Sequence, residues 1–338
     1  MEAYAGIDLH SSNSYIGIID DQDRRHFSKR LPNSLTQILV ALEPFKKDLK
    51  AVVVESTYNW YWLVDGLQEE GYKVHLANPS AIKQYEGLKH TDDKWDAFWL
   101  AHMKRLNILP EGYIYPKEER PIRDLLRRRL LFVRQRTSQI LSLQSAIERN
   151  LSLKMSGRAI KKLKEENAED LFYSSYLVLA AKSHIVVIQF LTKTIGAIED
   201  AIKPQAKLKK EFQLLKTIPG IGDILALTIM LEVGEISRFP SVGDYSSYCR
   251  CVKSEKLTNK NKKGENNRKN GNRYLSWAYV EAANFAIRFS QEAQKFYQRK
   301  MAKTNKIVAI KALSNKLARA SYYIMRDQVA YDAGKLFG

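Results

Sequence analysis

The feature that most constrains the fold is a pair of short apolar runs that each end in a carboxylate. The first run, AYAGIDLH, contains Asp8, and the second, KAVVVES, contains Glu55. Apolar runs of this length are typical of buried strands, and α/β proteins bind ligands at the ends of such strands. Either acid alone is also explained as the polar residue that ends a strand. Together they predict a sheet with carboxylates at one edge.

Differences in apolar pattern and composition along the chain predict three domains. Up to residue 115, three strand-like runs precede a strand–helix–strand–helix order, which indicates an α/β domain with a mixed sheet. Residues 116–205 have heptad-like apolar spacing and few Gly or Pro residues, which predicts long helices in an antiparallel coiled coil that breaks at Pro204. Residues 206–338 are expected to form an α-helical domain, interrupted by a polar, basic loop at 253–273.

Composition points to a polyanionic partner. The chain has 338 residues and a formal net charge of +18, which favours a nucleic-acid-binding protein over a merely basic enzyme. The only two cysteines, Cys249 and Cys251, form neither a zinc motif nor a disulfide framework, and a reduced, cytoplasmic location is expected. The start of the chain lacks a signal-peptide pattern. The longest apolar run contains Lys182 and His184, so no membrane span is expected.

A third acidic element begins a helical segment. The run TDDKWDA contains Asp92, Asp93 and Asp96. Helical spacing allows either Asp92 or Asp93 to share a face with Asp96, and a helix cap explains one of the first two. Together with the two strand acids, four carboxylates can bind two Mg²⁺ ions about 3.5–4 Å apart, an arrangement that drives phosphodiester chemistry. Mg²⁺ (or Mn²⁺) is the expected cofactor.

The second half of the chain has three basic or glycine-rich patterns. The run IPGIG predicts a helix-hairpin-helix whose glycines let backbone N–H groups approach a phosphate, although an ordinary helix turn has the same composition. An arginine-rich helix is expected to contact a nucleic-acid backbone, or else to be a solvated or coiled-coil surface. The loop at 253–273 holds eight Lys or Arg residues and two Glu. The expected nucleic-acid contacts are Arg127, Arg128, Gly220, Gly222, Lys262, Lys263, Arg268, Lys269 and Arg273.

The runs GIDLH, VVVES and KHTDDKWDA resemble the D-E-D-D pattern of transposases of the insertion sequence 110 family. The subgroup around insertion sequence 1111 fits best. The resemblance implies a RuvC-like, ribonuclease H-type N-terminal domain. It also chooses among the acids, because the family's tetrad ends in D-x-x-D followed by alanine. The catalytic metal ligands are then Asp8, Glu55, Asp93 and Asp96, and Asp92 is left as the cap.

A second resemblance lies in the C-terminal region. The run KNGNRYL, followed by EAA, is similar to the family's K-x-G-N-x-x-L and paired alanines, which come after a nucleophilic serine. Counting from Tyr248 places that nucleophile on Thr258, whereas the nearest serine, Ser254, lies four residues earlier. Both hydroxyls are kept as candidate nucleophiles. The alternatives are a loop hydroxyl that binds phosphate, and an inactive copy.

The resemblance implies a DNA transposase that forms a covalent protein–DNA intermediate. It implies a homodimer or homotetramer, donor and target DNA, and a structured guide RNA that pairs with both. The expected location is the cytoplasm of a bacterium or archaeon, near the nucleoid. Two alternatives are a RuvC-like nuclease or junction resolvase that uses water, and a non-catalytic nucleic-acid-binding protein. A sugar kinase or actin-like ATPase is disfavoured, because the first domain lacks glycine-rich phosphate loops.

Overall fold

The structure is a computed structural model that describes residues 1–82, 92–207, 209–253, 256–258, 261–264 and 270–338. For residues 205–207, 256, 257 and 262 only the backbone is described. The chain divides into two compact units. The first consists of Met1–Lys117 with Asn270, and the second of the other described residues from Glu118 to Gly338.

The first unit contains one six-stranded mixed sheet with helices around it. The order across the sheet is β3-β2-β1-β4-β5-β6. The first three strands are antiparallel neighbours, β1, β4 and β5 are parallel, and β6 is antiparallel to β5. The strands are β1 (Ala3–Leu9), β2 (Asn13–Asp20), β3 (Arg25–Pro32), β4 (Leu49–Glu55), β5 (Val74–Ala77) and β6 (Glu111–Gly112). The helices are α1 (Leu35–Leu42), α2 (Tyr61–Glu69) and α3 (Asp93–Arg105), with 3₁₀ turns at Glu43–Phe45 and Pro79–Ala81.

Helices cover both faces of this sheet, as the alternation of strand residues shows. Val52 and Val54 of β4 belong to the core that includes α1 and α2. Val53, between them, packs instead with Leu100 and Met103 of α3. Successive strand residues point to opposite faces, so α3 lies on the face of the sheet opposite α1 and α2. The first unit is therefore a three-layer α/β/α domain.

The prediction of a mixed α/β domain at the start of the chain is confirmed. Two elements were not predicted: helix α1 and the short edge strand β6. Helix α1 has apolar residues at helical spacing, with Ile38 and Leu42 buried, so its signal was present in the sequence. Strand β6 has only two residues and pairs through its backbone, which leaves no side-chain pattern to detect.

The second unit is largely helical, as predicted. Its long helices are α4 (Arg120–Leu151), α7 (Ser175–Lys207), α11 (Arg273–Phe289), α12 (Gln291–Lys303) and α13 (Lys306–Asp327). Its shorter helices are α5 (Gly157–Ile160), α6 (Asn167–Leu171), α8 (Lys210–Leu215), α9 (Asp223–Val233), α10 (Val242–Tyr248) and α14 (Ala333–Phe337), and Ile236–Arg238 forms a 3₁₀ turn. The basic loop contains an unpredicted antiparallel hairpin, β7 (Lys256–Thr258) and β8 (Asn261–Gly264).

Helices α4 and α7 pack on each other through buried apolar residues, among them Leu143, Ile147, Ile185 and Ile188. The predicted break at Pro204 is wrong, because this proline lies inside α7 and the helix ends at Lys207. A proline ring removes one hydrogen bond without always ending a helix. The coiled-coil prediction and the three domain boundaries stay predictions.

By length and composition alone, one helix among the described residues could cross a membrane, Ser175–Pro204. The sequence expectation that Lys182 and His184 exclude a segment of this kind is therefore wrong. A single such helix is weak evidence for a membrane span, because the core helices of other proteins pass the same test. Ile185 and Ile188 of this helix are both buried against α4.

The remaining helices form a separate apolar core. Leu227 and Ile229 of α9 pack there with Ala282 and Ala283 of α11 and Leu317 of α13, and all five are almost fully buried. Every residue of α9 from Leu225 to Val233 is buried, including the polar Thr228 and Glu232. Residues of α9, α11 and α13 therefore share one apolar core.

Candidate functional site

Two of the predicted carboxylates lie next to each other at the end of the sheet. Strands β1 and β4 are parallel, and Ile7 pairs with Val54. The next residue on each strand is Asp8 and Glu55, so the register places the two acids side by side. Asp8 is only 2% exposed. A hydrogen bond between the two carboxyl groups contributes to the raised pKa of Glu55.

Helix α3 brings the third acidic element to the same place through a very close approach to β1. A Cβ atom added to Gly6 would lie 1.9 Å from the carbonyl oxygen of Ala97 and 2.9 Å from the nitrogen of Ala101. Both alanines are fully buried. Small residues on α3 and β1 therefore let the two backbones pack directly on each other. This contact lies at Gly6, two positions before Asp8.

The three acids of α3 have different contacts. Asp92 is the N-cap, and its Oδ1 accepts a hydrogen bond from the backbone N–H of Trp95 at 2.6 Å. Arg30 of β3 donates to Asp93 Oδ2 at 2.6 Å. The other oxygen of Asp93 lies 3.2 Å from the His10 ring. Asp92 is thus the cap, while Asp93 faces the group around Asp8.

Electrostatic crowding marks this cluster. Burial, the hydrogen bond to Asp8 and the charges of Asp8 and Asp96 raise the pKa of Glu55 to about 8. Burial, and then the charges of neighbouring carboxylates, raise the pKa of Asp96 to about 6. Burial also raises the pKa of Asp8. Carboxylates gathered in this way are unfavourable unless a cation lies between them.

The donor set fits a divalent cation. One oxygen of Asp8 (Oδ2) and one of Asp96 (Oδ1) are buried without a hydrogen-bond partner among the described residues. Within the described ranges, the group that could hold a metal ion consists of Asp8, His10 and Asp93. Carboxylate oxygens are the ligands that Mg²⁺ and Mn²⁺ prefer.

The second unit contains a buried polar network at the neck of the basic loop. Asn272 caps α11, with its side-chain oxygen accepting from the backbone N–H groups of Tyr274 and Leu275. Its amide nitrogen donates to Glu232 at 2.7 Å. Arg127 donates to both oxygens of Glu232, at 2.6 and 2.7 Å. Because Glu232 is 3% exposed, α4, α9 and α11 are joined by a desolvated, charged network.

The glycine before this cap allows the two ends of the loop to meet. Gly271 has φ +87°, and a Cβ there would lie 2.5 Å from the carbonyl oxygen of Tyr248. The backbone N–H of Asn272 donates to that same carbonyl at 2.6 Å. Arg250 donates to the carbonyl of Gly271 at 2.9 Å. Gly271 and Asn272 therefore close the loop at its base, and α11 starts directly after them.

The candidate nucleophiles belong to this loop. Thr258 is exposed at the end of β7, where it pairs with Asn261. Ser254 lies outside the described residues, as do Arg268 and Lys269. Lys263 is exposed on β8, and the side chain of Lys262 is not described. The choice between the two hydroxyls therefore stays open.

A basic groove lies between α4 and the start of α11. Four arginines line it together with Tyr274, and its volume is about 360 Å³. Arg127 and Arg273 each lie over the Tyr274 ring, 4.7 and 5.0 Å from its centroid. Arg128 is exposed. The lining arginines are Arg127, Arg128, Arg134 and Arg273.

Two residues that were predicted to contact nucleic acid, Arg127 and Gly220, have structural roles in the second unit. Arg127 was expected to contact a phosphate, yet two of its nitrogens donate to Glu232. Gly220 has φ +89°, and a Cβ there would lie 2.4 Å from the carbonyl oxygen of Ala282. This glycine thus permits close packing of the turn on α11. Gly222, the N-cap of α9, has open space around its Cα, so its phosphate contact stays a prediction.

Comparison with known proteins finds two family models that match this chain. A family model described as Transposase IS116/IS110/IS902 family matches residues 212–298. A second model, described as Transposase and named for the DEDD acids of IS110, matches residues 5–150. The two matches fall on the two signatures and together cover about two thirds of the chain. Over these two stretches the chain is similar to the IS110 family of transposases.

Two further proteins match this chain. A protein of Sinorhizobium fredii named as a candidate transposase, y4qE, is 25% identical over 227 residues, which are 67% of this chain and 55% of that protein. The match thus spans about half the length of that relative. The structure of T. thermophilus RuvC in complex with Holliday junction substrate matches with a TM-score of 0.26 and 16% identity, over 33% of this chain and 100% of that one.

Two residues of the acidic cluster were missed by the sequence reasoning. His10 lies between Asp8 and Asp93, and its signal was present, since alternate strand residues share a face. Arg30 gave no signal, because nothing in β3 indicates that it reaches α3. His10 and Arg30 thus place an imidazole and a guanidinium group among the acids of this site.

The metal-free protein is expected to lose stability as the pH rises from about 4.5 to about 8. The folded-state pKa of Glu55, about 8, lies above its ordinary value of 4.5. The folded state therefore binds this proton more tightly than the unfolded state, a contribution that is full below pH 4.5 and lost above pH 8. Urea unfolding with a chelator at pH 5 and pH 8.5 measures it.

Glu55→Gln removes this dependence. The free energy of unfolding of the wild type minus that of Glu55→Gln should fall as the pH rises. The exposed acid Glu70 provides the control. The free energy of unfolding of the wild type minus that of Glu70→Gln should not change with pH. Equal pH dependence of the wild type and Glu55→Gln would contradict the assigned proton.

Glu232→Ala is expected to destabilise the protein by about 1–3 kcal/mol, because it takes the Glu232 carboxylate away from the half-buried Arg127 guanidinium and the buried Asn272 amide. Its neighbour Glu235 is exposed and makes no side-chain cap. Glu235→Ala should change the free energy of unfolding by less than about 0.5 kcal/mol. If urea unfolding shows the same loss in the free energy of unfolding for both variants, the network does not stabilise the fold.

Proposed function

We propose that this protein is a DNA transposase that exchanges strands between donor and target DNA through a metal-dependent acidic site and a hydroxyl nucleophile. The observation that carries the proposal is the convergence of Asp8, Glu55, Asp93 and Asp96 around one sheet end in a chain that is similar to a transposase family. The strand order and directions of the sheet support the proposed ribonuclease H-like, RuvC-type fold. The insertion sequence 1111 subgroup is part of the same proposal.

The four carboxylates would hold Mg²⁺ or Mn²⁺ ions, which neutralise the scissile phosphate and the charge that develops on it. The residues of the chain divide the other tasks. Asp92 caps α3 and so fixes the direction of the two acids that follow. Glu55 holds a proton in the metal-free site and gives it up when a cation takes its place. Arg30 orients Asp93 by its hydrogen bond.

The hydroxyl of Ser254 or Thr258 would attack the phosphorus. A protein–DNA phosphodiester forms, the bond to the leaving DNA oxygen breaks, and that oxygen takes a proton. The bond energy is conserved in the adduct, so a free hydroxyl of the other DNA can reverse the step. Strand exchange then needs no nucleotide cofactor. The closed neck at Gly271 and Asn272 supports this role, because it fixes the base of the loop.

The basic surfaces of the second unit would bind the nucleic acids. Arg128 and Arg273 line the basic groove, and Lys263 is exposed on the loop hairpin. Guanidinium groups suit phosphates because they donate two parallel hydrogen bonds. The proposed partners are donor and target DNA and a structured guide RNA. The helix-hairpin-helix, the coiled coil, a homodimer or homotetramer and a cytoplasmic location complete the proposal.

Strand exchange between donor and target plasmids tests this function. The RNA encoded in the flanks of the element is supplied together with the protein and Mg²⁺ or Mn²⁺. Recombinant junctions that require protein, metal and RNA are expected. Junction formation by protein and metal alone would remove the guide RNA from the proposal. Protein–DNA adducts that persist in both Ser254→Ala and Thr258→Ala would overturn the hydroxyl assignment.

A further inference from the structure

The imidazole of His10 lies against two of the acidic ligands. Its Nε2 is 3.0 Å from Asp8 Oδ2 and 3.2 Å from Asp93 Oδ1. The three ligand atoms lie within 4.8 Å of one another. Asp8 Oδ2 is buried and, despite this contact, has no aligned hydrogen-bond partner among the described residues. The ring nitrogen therefore lies at contact distance from one oxygen of each acid.

The backbone holds His10 in this position. Its carbonyl oxygen accepts from the side-chain amides of Asn33 at 2.9 Å and Asn59 at 3.1 Å. Its N–H donates to the carbonyl of Asn13 at 2.9 Å. The asparagines are themselves oriented, because Ser14 donates to Asn33 at 2.7 Å. Two side chains and one backbone carbonyl thus fix a residue that is otherwise half exposed at the surface, as a preorganised ligand requires.

The distances between these atoms match neighbouring ligands of one ion. Nitrogen or oxygen ligands lie about 2.1 Å from a small divalent ion. Two ligands at right angles around such an ion are therefore about 3.0 Å apart, which is the edge of an octahedron. The observed separations, 3.0 and 3.2 Å, agree with this edge.

We propose that His10 is a direct ligand of the divalent ion, and that it makes the site prefer Mn²⁺ to Mg²⁺. This inference rests on the acidic metal site of the proposed function and adds a nitrogen ligand to it. Imidazole suits transition metals, and affinity for such sites follows the order of the first-row metals, whereas Mg²⁺ prefers oxygen ligands only. Asp8 and Asp93 would supply the neighbouring oxygens, with Arg30 holding the second oxygen of Asp93.

Electron paramagnetic resonance of Mn²⁺ bound to the full chain tests this ligand. Pulsed spectra of the wild type are expected to show coupling to a directly bound nitrogen, which ¹⁵N-histidine labelling shifts. His10→Ala and His10→Gln should lose this coupling. His10→Ala should also weaken Mn²⁺ binding by at least about tenfold, because even outer-shell changes cost 10–100-fold, and it should bind Mg²⁺ with less change. His184→Ala removes an imidazole from α7 and should leave both results unchanged.

Two outcomes overturn the inference: bound Mn²⁺ without nitrogen coupling in the wild type, or an unchanged Mn²⁺ over Mg²⁺ preference in both His10 variants. Asp8→Asn separates this failure from that of the proposed function. If Asp8→Asn abolishes Mn²⁺ binding while the His10 results fail, the acidic metal site stands without His10. If Asp8→Asn binds Mn²⁺ as the wild type does, the metal site of the proposed function fails as well.

Discussion

Asp8→Asn/Asp96→Asn is expected to reduce strand exchange by about three orders of magnitude or more, because it removes two ligands of the ion that neutralises the reacting phosphate. The fold should survive. Both residues lie among other carboxylates, and both have a raised pKa. Removing like charges from a crowded, half-buried place relieves repulsion. The free energy of unfolding of the metal-free variant should therefore equal or exceed that of the wild type at pH 8.

The matched control for this variant is Asp92→Asn. Asparagine caps helices about as well as aspartate, and among the described residues the hydrogen bond of the Asp92 side chain is the cap of α3. Asp92→Asn should therefore exchange strands at close to the rate of the wild type. Plasmid junction yields and urea unfolding of all three proteins provide the comparison. Strand exchange at the wild-type rate by the double variant would contradict the proposed metal site.

The second large effect is expected at Gly6. A methyl group there would meet the carbonyl oxygen of Ala97 at 1.9 Å, which is backbone and cannot rotate away. Gly6→Ala must push α3 off β1, and overpacking of this kind costs about 1–3 kcal/mol or more. The displacement also moves Asp93 and Asp96 away from Asp8. Strand exchange should therefore fall at least as steeply as the free energy of unfolding.

Gly196 provides the opposite case. It lies inside α7, and a Cβ there has nothing within 4 Å. Gly196→Ala should raise the free energy of unfolding by about 0.5–1 kcal/mol, because alanine favours a helix over glycine. Urea unfolding of the two variants in parallel measures both effects. A Gly6→Ala variant as stable and active as Gly196→Ala would contradict the close packing of α3 on β1.

The sequence was sufficient to predict the mixed sheet and the acids at its edge. Val52, Val53 and Val54 form an apolar run that ends at Glu55, and this run became the buried strand β4. Spacing alone could not choose between Asp92 and Asp93, because both share a helix face with Asp96. The family resemblance chose Asp93, and the cap contact of Asp92 agrees with that division. Whether Asp93 binds an ion stays a prediction.

Contacts between distant segments could not be predicted in the same way. Arg30 is 63 positions from Asp93, and nothing local indicates that they meet. Arg127 was assigned to a nucleic acid because arginines crowd its helix, but a buried acid 105 positions away, Glu232, binds it. Such pairs depend on which helix faces meet, a property of the packed chain and not of any single segment.

The proposed function requires that a hydroxyl of this chain becomes linked to DNA in a metal-dependent step. It is tested most directly by incubating end-labelled donor DNA with the protein, the flanking RNA and Mn²⁺, stopping in denaturant, and mapping any linked peptide by mass spectrometry. The account predicts a metal-dependent adduct on the peptide that contains Ser254 or Thr258, absent in Asp8→Asn/Asp96→Asn. Metal-dependent cleavage that leaves free DNA ends and no adduct would contradict it, and would identify a nuclease that uses water.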